Sequence, residues 1–159
     1  MKETLRKRLD YLEDPVLGLG LLDFVLGEYL GSGIYRDVYE YALDKNWVIK
    51  IENKDGNGEN WAEWRLYHAI KYSEHKKWFA ECKWISDNGL IMMQRKTEEF
   101  SKKEKKLPKK IPNYFTDVKQ SNFGWIGNQL VCHDYSFTLE KLTSCGGISK
   151  RMKSSKELK

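Results

Sequence analysis

The sequence has no apolar run approaching the roughly 18 residues of a membrane span. Its longest greasy stretch, Val16–Leu26, is broken by Gly18, Gly20 and Asp23 and reads as core. Nor does it open on an apolar signal region. Met1-Lys2-Glu3-Thr4-Leu5-Arg6 is charged from its second residue, so secretion is not expected. Cysteine is scarce: Cys82, Cys132 and Cys145 lie far apart, with no C-x-x-C pair. That excludes a disulfide scaffold and leaves free, buried thiols in a reducing cytoplasm as the expectation. His68, His75 and His133 never fall at ligand spacing with a cysteine pair, which excludes a structural zinc site.

What is there describes a folded globule. The chain has 159 residues, 40% hydrophobic and 13% aromatic, including 6 Trp and 9 Tyr. This is one domain of ordinary size that can bury a core without staples. A mean hydropathy of -0.69 with 32% charged residues describes a wet surface.

The net charge of +5 is unevenly spread. Lys102 to Lys110 holds six lysines against Glu104, and Ser149 to Lys159 holds five cations against Glu157, so the rest of the chain is acidic. Basicity confined to two polar segments, expected to be solvated and mobile, argues against a nucleic-acid-binding face with interleaved aromatics. Docking on an acidic partner or weak, salt-sensitive contact with nucleic acid is the alternative use of such segments.

Residues 2–13 have helical spacing, ended by Asp14-Pro15. From Leu22 to Glu52 the period becomes two. Glu28–Leu30, Arg36–Ala42 and Trp47–Glu52 read as an antiparallel meander, broken by Gly31-Ser32-Gly33 and Asp44-Lys45-Asn46. Glu59–Tyr72 returns to helical spacing, with Trp61, Trp64, Leu66, Tyr67, Ala69 and Ile70 as its apolar stripe. Two strands follow, Phe79–Ile85 and Leu90–Gln94, joined by the turn Ser86-Asp87-Asn88-Gly89. A loop at Thr116–Phe123 and a short strand pair around Gly127-Asn128 precede the tail. The fold class is α+β: a three-stranded antiparallel meander, a helix, then two further strands.

Three patterns carry chemistry. Gly31-Ser32-Gly33 lies between two strands, so it is either an ordinary hairpin or a flap whose backbone N–H groups lie over phosphates. A dinucleotide fold is excluded, because Val38-Tyr39-Glu40-Tyr41 alternates like a strand and not a helix. Lys50 sits in the apolar run Val48-Ile49-Lys50-Ile51, where an ammonium either points outward or meets an anion. Glu63 on the following helix is the first candidate partner and Glu59 the second. Asp117, Lys119 and Asn122 occupy i, i+2 and i+5 of one loop, and Asp134 follows the next strand. That set offers a proton acceptor, a cation and two hard oxygen ligands for magnesium.

Together these residues resemble the eukaryotic-like protein kinase superfamily, from about Leu22 to Ser136, and within it the compact proteins of this type that bacteriophages encode. The resemblance implies a kinase-like fold: an N-terminal helical extension over 1–21, an N-lobe over 22–96 with a five-stranded antiparallel sheet and one αC-like helix, a much reduced C-lobe over 97–148, and a disordered basic tail over 149–159. It implies ATP and magnesium as cofactors. Gly31, Ser32 and Gly33 would cover the phosphates, Val38 would cap the base, and Lys50 would be the ion-paired lysine with Glu63 its partner. Met93 would stand near the gatekeeper position, Asp117 would be the catalytic aspartate and Lys119 its companion, and Asn122 and Asp134 would hold the metal.

The departures are specific. Arg36 replaces the third glycine of the flap, Phe115-Thr116 replace the His-Arg before the catalytic aspartate, and Asp134-Tyr135-Ser136 replace Asp-Phe-Gly. Only 25 residues follow Asp134 in the 159 given, too few for the usual helical lobe that grips peptides. Two readings follow: a phosphotransferase acting on a protein hydroxyl, or a kinase-like binding protein that modulates a host protein, with or without nucleotide.

Overall fold

The computed structural model describes residues 22–53, 55–101, 105–138 and 151–158. The helix expected before Pro15, the expected extension over 1–21, and Cys145 lie outside the described residues. The architecture is α+β. A meander of β1 (Leu26–Ser32), β2 (Arg36–Tyr41) and β3 (Trp47–Glu52) is followed by α1 (Glu59–Ile70). Then come β4 (Cys82–Ile85) and β5 (Ile91–Arg95). All five strands form one antiparallel sheet in the order β1-β2-β3-β5-β4. β3 is central and buried along its whole length. Among the described residues, no helix is long and apolar enough to cross a membrane.

Alternation along the strands decides which residues share a face. Val38, Lys50 and Met92 form one cross-strand row, and Tyr39, Ile49 and Met93 form the next, on the opposite face. Tyr39, Ile49 and Ile51 make a small buried cluster with Met93 packed against it.

The helix is placed by the strand before it. Its N-cap, Gly58, has φ +85 and no side-chain cap. Instead the Glu52 carboxylate, at the end of β3, accepts from Gly58 N at 3.1 Å and Asn60 N at 2.8 Å. A carboxylate there satisfies open N–H groups and faces the positive end of the helix dipole. The β4–β5 turn packs on the same helix. Gly89 has φ +74, and a Cβ there would fall 2.2 Å from the Trp61 ring, so only glycine fits. The buried face of α1 differs from the apolar stripe read in the sequence. Trp61 and Trp64 are half-buried and Ala69 is exposed, whereas Asn60 and Glu63 are fully buried beside Leu66, Tyr67 and Ile70. Polar residues sit inside because the sheet face opposite them is charged.

The second half adds β6 (Glu98–Glu99), β8 (Phe123–Ile126) and β9 (Gln129–Cys132) as a three-stranded sheet, and β7 (Lys110–Pro112) paired with β10 (Met152–Ser154). The strand expected from Phe79 begins only at Cys82. Phe79 ends a short 3-10 turn, and Ala80 N donates to Cys132 O at 2.8 Å, so this backbone is tied to β9. The main core joins Leu66, Tyr67 and Ile70 of α1 to Phe79, Met92, Phe115, Phe123, Trp125 and Tyr135.

Two expectations of mobility need correction. The tail was expected to be disordered, yet Met152–Ser154 pairs with β7 and Leu158 is buried in the main core. The described part of the lysine-rich segment is also tied down. Lys105 Nζ donates to Gly127 O at 2.6 Å and Asn128 Oδ1 at 3.3 Å, and Lys110 begins β7. High charge density concealed the few apolar residues, Ile111 and Leu158, that hold these segments.

Candidate active site

A cleft of about 640 Å³ lies between the inner face of the sheet and the loop before β8. Leu30, Gly31, Ser32, Gly33, Val38 and Val48 line one side, and Asp117, Lys119, Asn122 and Asp134 the other, with Lys50 between them. A volume of this order accommodates a nucleotide-sized ligand. The loop bearing Asp117 is anchored by its aromatic neighbour: Phe115 is 1% exposed, with its ring 5.1 Å from Phe79 and 5.3 Å from Phe123. Asn122 tightens the loop, its Nδ2 donating to Asp117 O at 3.3 Å and its N to Lys119 O at 3.0 Å. At the mouth, Lys119 Nζ lies 3.3 Å from Asp117 Oδ2, with both side chains substantially exposed.

The expected ion pair is formed. Lys50 Nζ stands 3.0 Å from Glu63 Oε2, and Glu63 is fully buried. Glu59, the second candidate, instead accepts from Asn57 N at 2.8 Å and belongs to the helix start. Glu63 also accepts from Arg36 Nη2 at 2.8 Å, Tyr135 N at 2.9 Å and Gln94 Nε2 at 3.1 Å. Each carboxylate oxygen therefore has two donors. Burial alone would raise this carboxyl, but the charges of Arg36 and Lys50 and the donated hydrogen bonds outweigh it and hold the pKa at about 2.

Arg36 occupies the position where the resemblance expects a third glycine, and its role was not legible in the sequence. It is 6% exposed, and the guanidinium bridges Glu63 and Asp134, reaching Asp134 Oδ1 at 2.6 Å. Burial works against its charge, but Glu63 and Asp134 more than compensate and its pKa is raised. Asp134 is pushed upward by burial and by Glu63, against the pull of Arg36 and Lys50. Three consecutive residues thus meet three charged partners. Lys50 Nζ donates to His133 O, Arg36 to Asp134, and Tyr135 N to Glu63. The His133 ring donates from Nε2 to Ser121 O at 2.8 Å and accepts at Nδ1 from Thr97 Oγ1 at 2.9 Å. Burial and the Lys50 charge hold its pKa down to about 4.

Met93 is not part of the cleft. It pairs with Ile49 on the far face of the sheet, and the next residue, Gln94, fully buried opposite Val48, lines the cleft instead. The cause is strand phase: Lys50 faces inward, and only residues two apart share that face.

A divalent cation would find hard oxygens here. Asp134 keeps 46% of its side chain exposed, with one oxygen on Arg36. Asn122 has committed Nδ2 to Asp117 O, which leaves Oδ1 as the atom that could meet a cation. The described residues hold no cluster of three His, Cys, Asp or Glu suited to a metal. The donor set fits magnesium, which binds through one or two protein oxygens and completes its shell with phosphate and water. Cys82 and Cys132 are free and buried, as expected.

Comparison with protein-family models gives no match, and neither does comparison with curated proteins.

Proposed function

We propose that the protein is an ATP-dependent phosphotransferase of protein kinase-like fold, with a reduced C-lobe, acting on a protein hydroxyl. The observation that carries this reading is the buried Lys50–Glu63 pair behind a glycine turn, with Asp117, Asn122 and Asp134 on the facing wall of the same cleft. In this reading the backbone of Gly31–Gly33 lies over the phosphates and Lys50, held by Glu63, neutralises their oxygens. Asp117 accepts the proton of the acceptor hydroxyl as its oxygen bonds to the γ-phosphorus. The bond from that phosphorus to the bridging oxygen breaks, giving a phosphoester and ADP. Lys119 balances the charge beside Asp117. Asp134 and Asn122 would hold magnesium, which when bound supplies further neutralisation at the phosphates. The test is transfer from γ-labelled ATP to a host lysate or to the protein itself, beside Asp117→Ala. Label transfer that needs Asp117 supports the reading, and its absence at millimolar ATP and magnesium overturns it.

A second reading rests on the Arg36–Asp134 pair, which engages a carboxylate the chemistry needs. There the protein binds a host target without turnover. Full biological effect in an Asp117→Asn, Asp134→Asn double variant would favour it.

A further inference from the structure

We infer that β7 and β10 form a docking surface for an acidic segment of a partner protein, one that also carries aliphatic side chains. The inference stands apart from the nucleotide reading, because a substrate to be phosphorylated and a target merely held both need such a surface. In the sequence the two basic segments lie far apart. The fold makes them one surface: Lys110 pairs with Ser154, Pro112 pairs with Met152, and Ser155 N donates to Lys109 O at 3.2 Å. The strands and their flanks, 105–112 and 151–158, carry seven cations against Glu157 alone.

Alternation turns these charges outward. Ile111 is buried in the main core, so its neighbour Lys110 must face solvent. Two of the cations are satisfied inside the fold: Lys105 by Gly127 O and Asn128 Oδ1, and Lys153 by Glu157 at 3.2 Å. Lys106, Lys109, Lys110 and Lys156 are exposed, and among the described residues their ammonium groups have no hydrogen-bond or ion-pair partner. The strand pairing keeps them close. Lys156 lies two residues past Ser154, so its Cα is within about 12 Å of that of Lys110. That is little more than one Debye length at physiological salt, about 8 Å, so the cations act on a ligand together.

The partner's chemistry follows from what surrounds the lysines. Neither 105–112 nor 151–158 contains an aromatic residue, so nucleic-acid bases would find no ring to stack on. Aliphatic side chains are exposed instead, Leu107 at 41% and Met152 at 43%, towards opposite ends of the ribbon. Carboxylates for the lysines and aliphatic groups for Leu107 and Met152 describe a polypeptide. Its place is beside the cleft: Asp117 follows Pro112 by five residues, and so lies within about 18 Å of the ribbon.

The experiment titrates the full chain into a fluorescent peptide of glutamates interrupted by leucines, and into an oligothymidylate of equal charge, and reads anisotropy. The peptide should bind the more tightly, with an affinity that falls as salt rises. Lys110→Glu and Lys156→Glu should each weaken it about tenfold, although they lie on different strands, because each sets a like charge against the peptide. Lys76→Glu with Lys77→Glu, exposed on the 3-10 turn before β4, changes the net charge as much as the ribbon pair does and should leave the affinity unchanged. If the ribbon pair does not fold, Lys110→Gln with Lys156→Gln takes its place. Absence of peptide binding at low salt would overturn the inference. Equal loss from the control pair would assign the binding to net charge, and tighter binding of the oligothymidylate would assign the surface to nucleic acid; either overturns it. The nucleotide reading is untouched by these outcomes, since label transfer from ATP tests it separately.

Discussion

The Arg36 guanidinium and the Asp134 carboxylate, 98 residues apart in the chain, meet at 2.6 Å on the wall of the cleft. The same nitrogen stands 2.8 Å from Glu63, so one arginine neutralises a carboxylate from the helix and another from the second half of the molecule. Lys50 alone would leave two acids sharing one cation.

Removing that arginine should therefore cost stability. Arg36→Met leaves Asp134 without its cation and Glu63 with Lys50 only, and the expected loss is about 3 kcal/mol. Urea unfolding followed by Trp fluorescence measures it. Arg36→Lys should recover part of the loss, because a point charge cannot span both carboxylates as a planar guanidinium does.

Acid should act in two windows. The folded His133 ring is held at about 4 against an ordinary 6.5, so the unfolded chain takes up the proton first, and stability falls as pH drops between those values. The Glu63 contribution is intact above about 4.5 and is lost as pH falls from there towards 2. Asp134, whose pKa is raised, has the opposite sign and softens the second loss. Plotted against pH, the urea midpoint should lose most of its upper slope in His133→Asn and its lower slope in Glu63→Gln. His68, also lowered by burial, keeps a smaller share of the upper slope.

Two aspartates should separate binding from turnover. ATP with magnesium at about 100 times the dissociation constant should stabilise wild type by about 2.7 kcal/mol, read as a rise in melting temperature. Asp117→Asn should keep that rise while turnover falls by about 10²- to 10⁴-fold, the usual worth of a positioned base. Asp134→Asn should lower both, since on the proposed reading it removes a charged ligand from magnesium.

The tail should behave as structure and not as a charged arm. Leu158→Ala removes a buried side chain and should cost about 2 kcal/mol. Lys156→Glu, at an exposed position, should stay within about 0.5 kcal/mol. Equal effects from the two in urea unfolding would contradict the packing described.

The elements most legible in the sequence were those set by local chemistry. The meander was marked by alternation and turn residues, the β4–β5 hairpin by its Ser86-Asp87-Asn88-Gly89 turn, and α1 by its return to helical spacing. Lys50 announced its partner because an ammonium in an apolar strand needs an anion. Other features depended on contacts that no local pattern encodes. Ile91-Met92-Met93-Gln94 puts three apolar residues in a row, so it has no alternation to reveal its phase, and only pairing with β3 turns Gln94 inward. Arg36 showed only as the start of a strand and as a replacement for a flap glycine, because its partners lie 27 and 98 positions away. Leu158 is one apolar residue in a run of charges and shows no period at all.

Residues 133, 134 and 135 also have a mechanical consequence. Backbone and side-chain bonds from these three neighbours cross one boundary, joining the second half of the chain to Lys50, Arg36 and Glu63. Any motion that parts the two halves must release all three together, because the three residues are consecutive and His133 N and Asp134 N are both tied to Asn122 O. Opening of the cleft should therefore be a single cooperative step and not a gradual breathing. A probe on either wall would report two discrete positions.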